Sequence, residues 1–210
     1  LLEKSQIADM KMRIFNTDGT EGEMAGNCIR CVAKYTYDNG YAEGRDTIKI
    51  ETKLGVNEVK VYTSDGRVTY ATASMGKPSL LAKDVPVNLP LEKVFNYPCV
   101  IVNHVYNLNC VSMGNPHCVV FCDSVDKIDL EVEGPKFEHH KIFPERVNTE
   151  FVRVVNDTML KMRVYERGSG VTMACGTGAC AAVVAACENG FCEKDTDITV
   201  KVPGGDLIVR

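Results

Sequence analysis

Met173-Ala174-Cys175-Gly176-Thr177-Gly178-Ala179-Cys180-Ala181-Ala182-Val183-Val184-Ala185-Ala186-Cys187 is the stretch around which the fold is read. A cysteine sits in a glycine-rich turn that opens directly into an apolar run. Cys180, Val183, Val184 and Cys187 recur at helical spacing, which predicts a buried helix. Asn189-Gly190 stops it, Gly190 suiting the left-handed residue that follows a helix end. Cys175 therefore lies at or just before a helix N-terminus, where unbonded N–H groups and the helix dipole favour a thiolate. The same N–H groups can hold a carboxylate. One segment thus offers a nucleophile or base beside a carboxylate cradle.

Working outward, the chain repeats this unit at an offset of 150 residues. Lys11-Met12-Arg13-Ile14-Phe15 matches Lys161-Met162-Arg163-Val164-Tyr165, Gly26 falls on Gly176, and Asn39-Gly40 falls on Asn189-Gly190. Two pseudo-symmetric halves are expected to face each other, with two helix N-termini pointing into one cleft. Gly26, Asn27, Gly176 and Thr177 would then donate backbone N–H groups to a single carboxylate. The repeat sets Ala25 opposite Cys175. A thiol on each side would suit proton exchange at a stereocentre; here one side carries none. Cys28, about one helical turn on, is a candidate displaced base, or else a core residue on a stripe of Cys28, Cys31, Val32 and Tyr35. Cys28-x-x-Cys31 has no matching Cys/His pair elsewhere, which argues against a metal site.

The remaining elements follow from alternation and turn residues. Strands are expected at 47–51, 58–63, 67–73, 100–105, 110–112, 118–122, 151–155 and 160–165, a helix over 28–35, and a closing hairpin over 197–209. Residues 77–96 carry Pro78, Pro86 and Pro90 and read as an interdomain connector. Domains are drawn as 1–80, lacking its first strands, and 81–200, with 201–210 starting a return toward the first. Leu1 at the start and Leu207-Ile208-Val209-Arg210 at the end read as cut ends.

Composition narrows the function classes. The formal charge is −4 with no basic cluster, so nucleic acid and anionic membranes are not the expected partners. No apolar run reaches membrane-spanning length and no signal-peptide pattern opens the chain. The 10 cysteines are scattered through apolar segments, as reduced thiols in a cytoplasmic protein would be. His104, His139 and His140 read as surface residues, whereas His117 follows the turn Gly114-Asn115-Pro116.

Six motifs, in order along the chain, carry a family resemblance: Asn16-Thr17-Asp18-Gly19-Thr20-Glu21, Met24-Ala25-Gly26-Asn27, Gly114-Asn115-Pro116-His117-Cys118, Val147-Asn148-Thr149-Glu150-Phe151, Tyr165-Glu166-Arg167-Gly168 and Ala174-Cys175-Gly176-Thr177-Gly178-Ala179-Cys180. They resemble the diaminopimelate epimerases and, more widely, the cofactor-independent amino-acid racemases of that fold. The resemblance implies an α/β fold of two domains, each a barrel-like, mostly antiparallel sheet around a central helix, with the site in the interdomain cleft. It implies epimerisation of LL- to meso-diaminopimelate for lysine and cell-wall precursors, with no cofactor and no metal. Two cysteines exchange the α-proton in that family: Cys175 matches one, and Ala25 stands where the motif reads Cys-Gly-Asn. His117 and Glu166 match residues that tune the thiols, and Asn16, Asn115, Asn148, Glu166 and Arg167 match substrate ligands. Gly26, Asn27, Gly176 and Thr177 match the donors to the reacting carboxylate. The expected partner is a small amino acid, and a twofold homodimer is the common assembly of such enzymes. Another racemase or isomerase of the same fold, or an inactive ligand-binding form, are the alternatives.

Overall fold

The computed structural model describes residues 1–15, 19, 21–22 and 25–210, so the expected ligand Asn16 and its turn lie outside the described residues. The chain forms two compact units, Leu1–Met75 and Gly76–Arg210.

The first unit runs β1 (Leu2–Glu3), β2 (Met10–Met12), β3 (Ile14–Phe15), β4 (Glu21–Gly22), α1 (Gly26–Asp38), β5 (Thr47–Thr52), β6 (Gly55–Ser64) and β7 (Arg67–Ala73). A sheet of order β1-β2-β5-β6-β7 carries α1 on one face, and β3 pairs with β4 beside it. Alternation builds the strands: in β5, Ile48 and Ile50 turn inward while Lys49 turns out. Ile29, Val32 and Ala33 of α1 pack with Met10, Met12, Ile48, Ile50, Val59, Val61 and Val68. The buried stripe is thus 29, 32, 33 and 36, and the expected core stripe fails except at Val32, because Cys28, Cys31 and Tyr35 are exposed. Two stripes of mixed polarity compete on this helix, and Ile29 with Ala33 outweighs Cys28 with Tyr35.

The second unit runs β8 (Tyr97–Ile101), β9 (His104–Ser112), β10 (Pro116–Phe121), α2 (Leu130–Glu138), β11 (Asn148–Asn156), β12 (Met159–Glu166), β13 (Gly170–Thr172), α3 (Gly176–Glu188), β14 (Ile198–Val202) and β15 (Gly205–Val209). Its sheet has the order β15-β14-β12-β11-β10-β9-β8, so the closing residues pair as a hairpin inside this unit. The strand expected over 100–105 is instead a hairpin turning at Val102, whose φ is 55°. A β-branched residue rarely takes that conformation, so its sequence gives no turn signal.

Helix α3 is the apolar run of the sequence. Ala179, Ala181, Ala182, Ala185 and Ala186 are wholly buried against Val111, Val119, Val152, Leu160 and Met162. Small side chains let the helix sit close to the sheet. The opposite sheet face, with Val120 and Phe151, packs on Phe137 of α2. Asn109 locks the elements together: it accepts from Asn96 N and Asn189 Nδ2 at 2.9 and 2.8 Å and donates to Val119 O at 3.1 Å.

The repeat extends through both units. Helices α1 and α3 each hold 13 residues, with N-caps Ala25 and Cys175 and C-caps Asn39 and Asn189. The parallel register Met10↔Ile50 recurs as Leu160↔Val200, and Ile14↔Gly22 recurs as Val164↔Thr172. The hairpin pair Thr52↔Gly55 recurs as Val202↔Gly205.

Candidate active site

Cys175 is the N-cap of α3, extended at φ −122° and ψ 116°, and its Sγ accepts from Gly178 N at 3.3 Å. Thr177 Oγ1 lies 3.4 Å from the sulfur. The N–H groups of Gly176 and Thr177 open the helix, where the chain offers no carbonyl four residues back for them. The expected thiolate is reversed in this geometry. Burial pushes the Cys175 thiol up to about 12, with the Glu166 and Glu150 carboxylates adding to it, against the pull of Thr177 and Gly178 N–H. The balance of these influences favours the protonated thiol over the thiolate.

The sheet supplies the surroundings. His117 of β10, Asn148 and Glu150 of β11 and Glu166 of β12 lie on the face that α3 covers, because β10 and β11 pair in parallel with His117 opposite Asn148. His117 is fully buried. Its Nδ1 lies 2.7 Å from Glu150 Oε1 and its Nε2 lies 3.0 Å from Asn115 Oδ1. Asn115 Nδ2 donates to Thr177 Oγ1 at 3.3 Å. A continuous chain of contacts thus runs Glu150–His117–Asn115–Thr177–Cys175. Burial also pushes the Glu166 carboxyl up, while its bond from Thr172 Oγ1 pulls it down; Glu150 adds to the rise and His117 opposes it. A half-buried acid beside a buried thiol fits proton handling better than simple solvation.

Asn148 clamps the backbone: Nδ2 donates to Pro116 O at 2.7 Å and Oδ1 accepts from Arg167 N at 2.9 Å. The Arg167 side chain is exposed and donates to Glu145 O at 3.2 Å. The structure therefore brings His117, Asn115, Glu166, Thr177 and Cys175 together and sets Asn148 and Arg167 at the loop that follows Glu166. In the first unit, Ala25 caps α1 at φ −139° and ψ 111° with no side-chain bond, and Ile29 N bonds Ala25 O just as Ala179 N bonds Cys175 O. Gly26 and Asn27 open that helix as Gly176 and Thr177 open α3. Glu150 and Thr172 were not singled out from the sequence. Glu150 shares its strand with Asn148, Thr149, Arg153 and Asn156, so polarity alone did not set it apart.

The fold is shared with solved racemase, epimerase and isomerase structures. It aligns with a probable proline racemase from Agrobacterium radiobacter at a TM-score of 0.68 and 16% identity, over 99% of this chain and 69% of that one, a likeness of fold alone. The diaminopimelate epimerase family model matches residues 1–81 and 109–210. The chain is 47% identical to the diaminopimelate epimerase of Acetivibrio thermocellus over 210 residues, all of this chain and 74% of that protein. It is 48% identical to that of Bacillus mycoides, over all of this chain and 73% of the relative. The chain belongs to the diaminopimelate epimerase family and, with it, to the isomerases. No helix among the described residues is long and apolar enough to cross a membrane.

Proposed function

We propose that the chain acts on diaminopimelate, inverting one α-carbon between the LL and meso forms by thiol-mediated proton exchange. The observation that carries it is Cys175: a buried thiol capping a helix whose first N–H groups can bind a carboxylate, in a chain 47% identical to a diaminopimelate epimerase. A base on one face of the α-carbon takes its proton and leaves a carbanion whose charge spreads into the carboxylate. Gly176 and Thr177 N–H, with Gly26 and Asn27 N–H, stabilise that charge. The Cys175 thiol gives its proton to the opposite face and becomes a thiolate, so one thiolate is consumed and one is formed and the net charge of the acid–base pair is unchanged over one inversion. The high proton affinity of Cys175 keeps it in the protonated form from which the donor step starts. His117 and Glu166 set the proton balance beside it. Asn16, Asn115, Asn148 and Arg167 hold the distal amino-acid end of the substrate, and Arg167 suits its carboxylate because a guanidinium binds two oxygens at once.

The opposing base belongs at residue 25, and alanine cannot serve. In this form the chain retains binding and one-sided proton delivery, while full epimerisation is impaired. The setting is the cytoplasm, with the chain as part of a homodimeric enzyme supplying lysine and cell-wall precursors; the buried thiols Cys110, Cys118, Cys175 and Cys192 fit a reducing compartment. The test is chromatographic separation of LL- and meso-diaminopimelate after incubation with the chain, with Ala25→Cys and with Ala25→Cys/Cys175→Ala. Ala25→Cys is expected to epimerise about 10²–10⁴-fold faster than the unchanged chain, and removal of Cys175 to abolish that gain. Equal rates in all three would sink the two-thiol mechanism.

A further inference from the structure

We infer that Glu150 is a positioning residue of the reaction: from full burial it pins the His117 ring and so sets the chain of hydrogen bonds that ends on the Cys175 thiol. The inference rests on the reading of Cys175 as the proton-exchanging group.

Three observations carry it. First, Glu150 is wholly buried, Oε1 meets His117 Nδ1 at 2.7 Å, and Oε2 has no hydrogen-bond partner among the described residues; nor has the buried Thr149 Oγ1. An incompletely satisfied buried carboxylate costs stability, and an apolar residue would fill the site more cheaply. A role through its charge and direction explains its presence better than packing does. Second, the sequence makes room for it. A Cβ on Gly178 would lie 2.6 Å from Glu150 Oε1, so the third residue of α3 must be glycine for the carboxylate to seat there. That same Gly178 donates its N–H to Cys175 Sγ. Third, the far side of the imidazole is fixed by chemistry. Asn115 Oδ1 can only accept, so His117 Nε2 carries a proton toward it. Asn115 Nδ2 then donates to Thr177 Oγ1, which leaves the Thr177 hydroxyl hydrogen available for the sulfur 3.4 Å away. A Thr177 hydroxyl aimed at sulfur stabilises the thiolate that forms when Cys175 gives up its proton.

Between them, Glu150 and His117 hold one proton on the Nδ1–Oε1 line in addition to the one on Nε2. The ring therefore cannot flip to its other hydrogen-bonding order without losing the carboxylate. The titratable groups facing Glu150 are His117 of β10, Glu166 of β12 and Cys175 ahead of α3, and Cys118 of β10 feels its charge from the opposite face of the sheet.

The experiment is ¹⁵N NMR of the full chain labelled at histidine, with the His117 ring assigned by His117→Gln, and it needs no turnover. In the unchanged chain, Nε2 is protonated and Nδ1 shows the shift of a nitrogen bonded to a carboxylate. Glu150→Gln and, independently, Gly178→Ala both change that ring pattern while the other three histidines keep theirs. Gly178→Ala decides the matter if Glu150→Gln does not fold. In the Ala25→Cys enzyme, Glu150→Gln lowers kcat about tenfold or more with KM nearly unchanged, as loss of an interaction used in the transition state requires. A His117 ring pattern unaltered by both variants overturns the inference. An altered ring with kcat intact in an active Ala25→Cys enzyme overturns it too. Absence of epimerisation by Ala25→Cys itself counts against the Cys175 mechanism, and the ring pattern then decides the role of Glu150 alone.

Discussion

Cys175 sits between opposed influences. The helix start, Gly178 N–H and the Thr177 hydroxyl favour the thiolate, while burial and the carboxylates of Glu166 and Glu150 favour the thiol. The second set wins because burial between helix and sheet removes the water that would solvate the thiolate. With its affinity pushed up to about 12, the group is protonated throughout the neutral range and ionises only as pH rises far into the alkaline. Alkylation of Cys175 by iodoacetamide, followed peptide by peptide in a mass spectrometer, is expected to accelerate continuously with pH and to show no plateau below about pH 9. A plateau near neutral pH would mean that the dipole prevails. The position of Cys175 at a helix start was legible in the sequence, because a cysteine, a glycine turn and an apolar helix are local signals. Its protonation was not, since Glu166 and Glu150 reach it from other strands.

At the scale of elements, two close contacts hold the site's strands in place. Gly134 of α2 lies against Tyr165 of β12, where a Cβ would come within 2.1 Å of the ring. Tyr165 directly precedes Glu166, so the approach of α2 fixes the strand that carries the acid. Gly134→Ala is expected to destabilise the fold by about 1–3 kcal/mol through overpacking, read as a lowered urea midpoint; an unchanged midpoint would show that the helix is free to shift. Asn109 is the second contact, joining β9, β10 and the end of α3. Asn109→Ala should cost about 1–3 kcal/mol, because it leaves buried groups without partners. Calorimetric melting checks it, and a loss within error would assign the junction to apolar packing instead. The strands themselves were readable wherever alternation was clean, as in β5. The hairpin at Val102 was hidden because its turn uses a β-branched residue, and the buried face of α1 was misjudged because cysteine and tyrosine look apolar on either stripe.

At the scale of the molecule, the two units are built to one plan. The sequence repeat was visible over strand, turn, helix and stop, where identical residues survive. Its continuation into β5–β6 and β14–β15 was not, since only alternation persists there, with Ile48 and Ile50 answering Ile198 and Val200. The matched registers Met10↔Ile50 and Leu160↔Val200 make Ala25 and Cys175 equivalent by backbone as well as by sequence. A helix N-terminus in each unit is the device the repeat duplicates, and a thiol at each is what the proposed inversion requires. The most direct test follows deuterium from D2O into the α-position of LL- and meso-diaminopimelate by ¹H NMR, for the unchanged chain, Ala25→Cys and Cys175→Ala. Ala25→Cys should label the α-carbon with inversion at a rate far above the unchanged chain, and Cys175→Ala should label neither isomer with inversion. Inversion at full rate by the unchanged chain, or its survival in Cys175→Ala, would contradict the pairing of Cys175 with residue 25.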